Sequence, residues 1–260
     1  MEIFMRKKGF TLIELLVVIA IIALLLAILM PALAKVKALA RGLVCRTNVR
    51  QMTMGLKLYA QDNDEKVMSF DHAYGRYWFH EIAPYLGDQN FKDTAGETVS
   101  KVMEISYCPS AKTLKSGWGS ATEPWRYTMG GSDTTGSYGM NLWLIPNGPG
   151  YGQIPTSEVD PVAEKNLFFQ KIIDANPSIT PTFGDCMWVG GWPRGDDPVP
   201  TNVMTGSTTK SMGRFAIDRH GKAINMGFVD GHVDKVPLEE LWTLQWHKNF
   251  TPDSNITIDY

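Results

Sequence analysis

From position 10 to position 30 the chain reads FTLIELLVVIAIIALLLAILM, 21 residues in which Thr11 and Glu14 are the polar interruptions. As a helix this run reaches roughly 31 Å at about 1.5 Å per residue, the thickness of a bilayer's hydrocarbon core. Fifteen of its residues are Phe, Leu, Ile or Val. At about 0.3 to 0.6 kcal/mol each, such residues favour insertion by several kcal/mol and outweigh one acid costing about 3 kcal/mol. Beyond Pro31 the apolar positions continue at helical spacing, with Leu33, Val36, Ala40, Leu43, Val49, Met52, Leu56 and Tyr59 along one stripe and bases on much of the remaining surface. The pattern predicts one helix from 10 to about 62: a transmembrane half over 10–30 and an outer half over 31–62. Pro31, Gly42 and Gly55 are its candidate bends. An apolar stripe outside the membrane needs a cover, which assigns 63–260 to a globular head. Asp62, Asn63, Asp64 and Glu65 close the helix; they lack the ligand spacing and glycine of an EF-hand, so a solvated helix-ending loop is favoured over a calcium site.

In the head, residues 77–86 (YWFHEIAPYL) pattern as a short amphipathic helix whose aromatics face a core, and residues 99–107 carry strand formers. Residues 116–200 contain 13 Gly and 10 Pro, together with Trp118, Trp125, Tyr127, Tyr138, Trp143, Phe168, Phe169, Phe183, Trp188 and Trp192. Disordered segments are poor in aromatics, so this reads as ordered, elaborate loops between short strands. Residues 214–218 and 223–229 read as strands, and Asp230-Gly231 predicts a two-residue hairpin turn into a strand over 232–236. Leu238, Leu241, Trp242 and Trp246 then predict a short helix. The expected fold class is α+β, a long N-terminal helix packed on an antiparallel β-sheet head with long loops.

Charge refines this picture only slightly. The chain holds 25 Lys and Arg against 27 Asp and Glu, and without residues 1–9, which carry three bases and one acid, the formal side-chain charge is -4. That balance gives no footprint for nucleic acid outside Lys35, Lys37, Arg41, Arg46 and Arg50. The same five bases follow the apolar run while Arg6, Lys7 and Lys8 precede it, so charge alone leaves the topology open. The cysteines, Cys45, Cys108 and Cys186, make no zinc motif by their spacing.

Arg6-Lys7-Lys8-Gly9 followed by Phe10-Thr11-Leu12-Ile13-Glu14 resembles the prepilin processing signal of type IV pilins and type II secretion pseudopilins, unbroken from Lys7 through the apolar run. Pro31 falls where many members of that family break or kink their helix. The resemblance implies that a prepilin peptidase cleaves between Gly9 and Phe10 on the cytoplasmic side and methylates the new Phe10 amine. The apolar run then survives processing, unlike that of an ordinary secretory signal. It implies an inner-membrane, single-pass precursor with its head in the periplasm. The partners are other pilin or pseudopilin subunits and an assembly platform, and the product is a homo- or hetero-oligomeric filament. Within that picture Glu14 and Pro31 are the assembly residues, the Glu14 carboxylate pairing with a neighbouring subunit's amine. By itself, an acid at this position also fits a hydrated place near the headgroups.

The segment RHGKAINMGFVDGHVDKV places nine residues between His220 and Asp230-Gly231, and resembles a C-terminal H-X9-DG signature that accompanies prepilin-type leaders in pilin-like proteins. Residues 107–110 (YCPS), 138–141 (YGMN) and Asp185 look similar too. The resemblance implies little about activity. Imidazole beside carboxylate can bind a divalent metal or act as a base and its orienter, which makes Asp185, His220, Asp230 and His232 the candidate metal set. The plainer reading gives Asp230-Gly231 to the turn and His220 to a loop hydrogen bond. With the head exported, Cys45 and Cys108 are the preferred disulfide pair. The functional expectation is therefore a structural subunit, not an enzyme, with no cofactor other than that metal and no nucleic-acid partner. The alternative is a membrane-tethered metal-dependent hydrolase using His220, Asp230 and His232.

Overall fold

The computed structural model describes residues 11–68, 77–87, 104–111, 117–129, 132–146, 159–160 and 162–260. Helix α1, Leu12–Asp62, runs 51 residues with Pro31 inside it. Its first turn is closed by a reciprocal cap: the Glu14 carboxylate accepts from the Thr11 backbone N–H and hydroxyl, each at 2.9 Å, and the Glu14 N–H donates to Thr11 Oγ1 at 3.2 Å. At the other end the Glu65 N–H reaches the Ala60 carbonyl at 2.8 Å, the Asn63 amide donates to the Tyr59 carbonyl at 2.8 Å, and Asp64 and Glu65 take φ of 55° and 61°. Those left-handed residues stop the helix where the polar run predicts.

The chain divides into two units, Met1–Ala40 and Arg41–Tyr260. In the first, every described helical residue is exposed, among them Leu12, Ile13, Leu24, Ile28 and Met30. This stretch makes α1 long and apolar enough to cross a membrane. In the second unit α1 buries Cys45, Asn48, Val49, Met52, Thr53, Gly55, Leu56 and Ala60. The covered stripe thus begins at Cys45, whereas Leu33, Val36 and Leu43, expected to share it, are exposed.

The sheet that α1 packs on contains β3 (Tyr138–Asn141), β4 (Pro181–Asp185), β5 (Gly190–Gly191), β6 (Ala223–Phe228) and β7 (Val233–Pro237), after a separate hairpin of β1 (Trp125–Met129) and β2 (Ser132–Gly136). Its order is β5-β3-β4-β6-β7, antiparallel throughout except for the parallel β3–β5 pair. An α+β head on a long apolar helix is therefore the observed architecture. The helix sits close to the sheet because β6 offers a glycine: a Cβ at Gly227 would lie inside the radius of Thr53 Oγ1 and 3.1 Å from Val49 Cγ1. Thr53 Oγ1 itself meets Thr182 Oγ1 of β4 at 2.9 Å. Gly227→Ala is expected to lower stability by about 1–3 kcal/mol through overpacking. A denaturation midpoint equal to that of the unsubstituted chain would show that α1 does not approach β6 this closely.

Among the described residues, buried indoles anchor the main chain; of the loops expected over 116–200, residues 116, 130–131, 147–158 and 161 lie outside the described residues. Trp78, Trp125, Trp143, Trp242 and Trp246 are fully buried. Each donates its Nε1–H to a main-chain carbonyl, of Val189, Tyr138, Pro193, Asp197 and Leu241 respectively, at 2.7–3.0 Å. The short helix expected over 77–86 forms as α2, Trp78–Ile82, followed by a 3-10 turn, Pro84–Leu86, with Trp78 and Phe79 in the core. The final helix forms as a 3-10 segment, Leu238–Thr243.

Three local expectations change. Residues 214–218 are not a strand: the chain makes a helical turn, Met212–Phe215, and then runs irregularly. Phe215, Ala216 and Ile217 are all fully buried, so the alternation that marks a half-buried strand is absent. The β6–β7 connection has three loop residues, 229–231, because Gly227 pairs with Val233 and the Phe228 N–H bonds the His232 carbonyl at 3.0 Å; Gly231 takes φ of 101°. Of the expected strand 99–107, residues 99–103 lie outside the described residues, and Glu104 and Ile105 are helical.

Candidate functional site

Four segments, one of them α1, bring a side chain each to one buried cluster. Cys45 comes from the helix. Cys108 comes from the segment after Tyr107, whose carbonyl is held by the Asn48 amide of α1 at 2.9 Å. Asp185 ends β4, opposite Tyr138 of β3. His220 sits in a tight turn into β6, where Gly221 and Lys222 have φ of 70° and 56° and the His220 N–H bonds the Ala223 carbonyl at 3.1 Å. The donor atoms of these four side chains all lie within 4.8 Å of one another. His220 Nε2 stands 3.2 Å from Cys45 Sγ, 3.4 Å from Cys108 Sγ and 3.3 Å from Asp185 Oδ2, while Cys45 Sγ is 3.4 Å from Asp185 Oδ1.

A second ring of contacts holds the carboxylate. The Asn225 N–H donates to Asp185 Oδ2 at 2.8 Å, and Arg219 Nη1 reaches Asp185 Oδ1 at 3.3 Å, both side chains of that ion pair having no exposure. Arg219 also donates to the carbonyls of Ser120 at 2.6 Å, Ala121 at 3.2 Å, Ser137 and Cys186.

The electrostatics follow from these contacts. Burial opposes the charged form of Asp185, but its hydrogen bond with His220, the His220 and Arg219 charges and the Asn225 N–H hold the carboxyl below its ordinary range. Burial likewise opposes protonation of His220; contact with Asp185 and Cys108 nevertheless carries the imidazole up to about 9. The hydrogen bond with Cys45 pulls Cys108 down to about 5 against its burial, helped by His220 and Arg219. Burial, followed by that same hydrogen bond and the Asp185 charge, pushes Cys45 well up. Cys186 is not part of the cluster and is pushed up to about 12 by burial.

Sulfur, imidazole and carboxylate together form a soft, borderline ligand set suited to zinc. A thiolate beside imidazole is also the pairing of a covalent catalyst, but Cys45 and Cys108 are fully buried, which denies a substrate the approach that role demands. The two cysteines expected to pair do meet, as free thiols rather than as a disulfide.

Of the candidate metal set, Asp185 and His220 come together and Asp230 and His232 do not join them. Asp230 Oδ1 takes the His232 N–H at 3.0 Å and meets its ring Nδ1 at 2.6 Å, both side chains more than a third exposed. The Asp230 carbonyl accepts from Lys57 of α1 at 2.6 Å, and the His232 ring stacks on Phe228 at 4.3 Å. These two residues shape the hairpin. A cavity of about 260 Å³ lies near that hairpin, lined by Lys57, Gln61, Glu65, Ile172, Pro177 and Val229 among others, and none of the four candidate residues lines it.

What sequence reasoning missed is the part of Cys45, Cys108 and Arg219. The cluster spans 175 positions between Cys45 and His220, so no local spacing marks it. The available signal was indirect: the short segments 107–110, 138–141, 185 and 219–220 each stand out in the chain, and all converge here.

At the N-terminus, Glu14 is satisfied within its own chain by Thr11, and Pro31 lies within α1; Gly9 and Phe10 lie outside the described residues. No curated protein and no solved structure matches the chain. Residues 4–30 match the family model of the prokaryotic N-terminal methylation motif, which supports a type IV pilin-like precursor whose apolar helix fits an anchor in the inner membrane.

Proposed function

We propose that the protein is a structural, non-enzymatic prepilin subunit of a type IV pilus or a type II secretion pseudopilus. In this reading a prepilin peptidase removes residues 1–9 and methylates Phe10. The chain waits in the inner membrane through residues 10–30 with its head in the periplasm, and then assembles with other subunits through α1. The observation that carries this is the methylation motif over residues 4–30, whose apolar run forms the exposed first part of α1. Such a helix is stable only in lipid or against other helices, and a filament core supplies the second environment after the bilayer supplies the first. The head, with its tryptophan-anchored loops, is larger than a helix cover requires, which suits a specialised subunit. The hydrolase alternative has lost its triad, since His220 lies in the buried cluster and Asp230 with His232 at the hairpin.

Mass spectrometry of the protein from native membranes and from sheared surface fractions tests the reading. The expected chain begins at Phe10 and carries one added methyl group on its amine. A mature chain that retains Met1 in both fractions overturns it.

A further inference from the structure

We infer that Cys45, Cys108, Asp185 and His220 form a structural zinc site that ties α1 to the head. This rests on the cluster itself and is independent of the filament reading.

The geometry is the first argument. In a tetrahedral zinc site with bonds of about 2.0–2.3 Å, neighbouring donor atoms stand about 3.3–3.8 Å apart. The separations here are 3.2 and 3.4 Å from imidazole nitrogen to the two sulfurs, 3.3 Å from that nitrogen to Asp185 Oδ2 and 3.6 Å from Cys45 Sγ to the same oxygen. Four of the six separations among two sulfurs, a nitrogen and an oxygen thus match the edges of a coordination tetrahedron, and all six lie within 4.8 Å. A disulfide between the two cysteines would bring the sulfurs to about 2.05 Å and use neither the imidazole nor the carboxylate.

Charge balance in the zinc-bound form is the second. With zinc bound, two thiolates, a carboxylate and a neutral imidazole carry three negative charges. Arg219 supplies one positive charge against Asp185, and a dication supplies the other two. The support around the ligands is the third. Zinc ligands are normally held by an outer ring of hydrogen bonds, and Asp185 has both Arg219 and the Asn225 N–H, while the Asn48 amide fixes the Tyr107 carbonyl beside Cys108. The four ligands come from α1, the 107–110 segment, the end of β4 and the turn into β6. Binding therefore closes contacts that exist only in the folded chain and adds to its stability.

The test uses the full chain purified from membranes in detergent without chelator. Elemental analysis is expected to give about one zinc per chain, as a closed structural site holds. Cys45→Ser, Cys108→Ser and His220→Ala are each expected to lose at least ten-fold in zinc affinity in competition with a chromogenic chelator, in line with loss of a ligand. Cys186→Ala is expected to retain the metal. Should the ligand variants fail to fold, zinc-edge X-ray absorption of the unsubstituted chain decides: two sulfur and two lighter ligands support the site, and an all-oxygen or all-nitrogen shell overturns it. Purified chain that takes up no zinc, or in which Cys45 and Cys108 are recovered as a disulfide, also overturns it.

Discussion

Glu14→Gln is expected to leave membrane insertion and leader removal intact and to abolish polymer formation. The carboxylate has two separable roles. Within one chain it closes the first turn of α1 by accepting from Thr11 at two points, and a glutamine can make the same reciprocal cap. Between chains, in the proposed filament, its charge would pair with the amine created at Phe10 of a neighbour, and glutamine has no charge to offer. In a medium of low dielectric an ionised carboxylate without a partner is costly, so that pair would fix the register at which one apolar helix slides along another. Glu14→Ala removes both roles at once, and loss of a cap alone costs about 0.5–2 kcal/mol. Comparing the two substitutions therefore separates them. Polymer in sheared or periplasmic fractions, measured against precursor in membranes, is expected to be absent for both. Assembly by the glutamine variant with failure of the alanine variant would assign Glu14 to capping, and wild-type yield from both would remove it from assembly altogether.

The sequence pattern was informative where one periodicity governs a long stretch or one residue type has one use. Residues 10–62 carry helical spacing and a polar stop, and α1 ends at Asp62 as the run of Asp and Asn implies. The same pattern overstated the covered stripe, because Leu33, Val36 and Leu43 are apolar at the right spacing and nevertheless exposed. Periodicity records that a face is apolar, whether protein, lipid or another helix covers it. Around residue 215 the reverse holds: a segment buried on all sides has no alternation, and local pattern cannot distinguish a strand from the helical turn that forms. The candidate site shows a different limit. Asp185 and His220 are legible as a carboxylate and an imidazole near patterned strands, and proximity along the chain groups Asp230 and His232 with them. Sheet topology decides otherwise: β6 carries the chain from the His220 turn at one end to the 229–231 loop at the other, so the histidines sit at opposite ends of one strand. Cys45 and Cys108 reach the cluster from a helix and a loop far away in sequence, a juxtaposition that spacing rules do not encode.

Arg219→Met is expected to destabilise the folded head by about 3–5 kcal/mol, the range for breaking a fully buried ion pair from one side. Methionine approximates the length of the arginine stem but offers none of its donors. Asp185 would keep its charge in a place with no solvent, with the Asn225 N–H, His220 and Cys45 as its remaining partners, and the carbonyls of Ser120, Ala121, Ser137 and Cys186 would lose a shared donor. Arg219→Lys is expected to recover only part of the loss, since a single ammonium on a flexible stem cannot span carbonyls on the 120–121 loop, at Ser137 and at Cys186 as the planar fork does. Adding Asp185→Asn to Arg219→Met removes the stranded charge, so the double variant is expected to be less destabilised than the two single losses combined, a coupling typical of residues in one network. Denaturant unfolding of the full chain in detergent, followed by the fluorescence of the buried tryptophans, reads all four. An Arg219→Met loss below about 1 kcal/mol would place this pair with exposed ion pairs and contradict its burial. The arginine thus decides whether the loop at 120–123 and the edge of the sheet hold their places around Asp185, and with them whether the donors from α1, the 107–110 segment and the β6 turn stay within reach of one another.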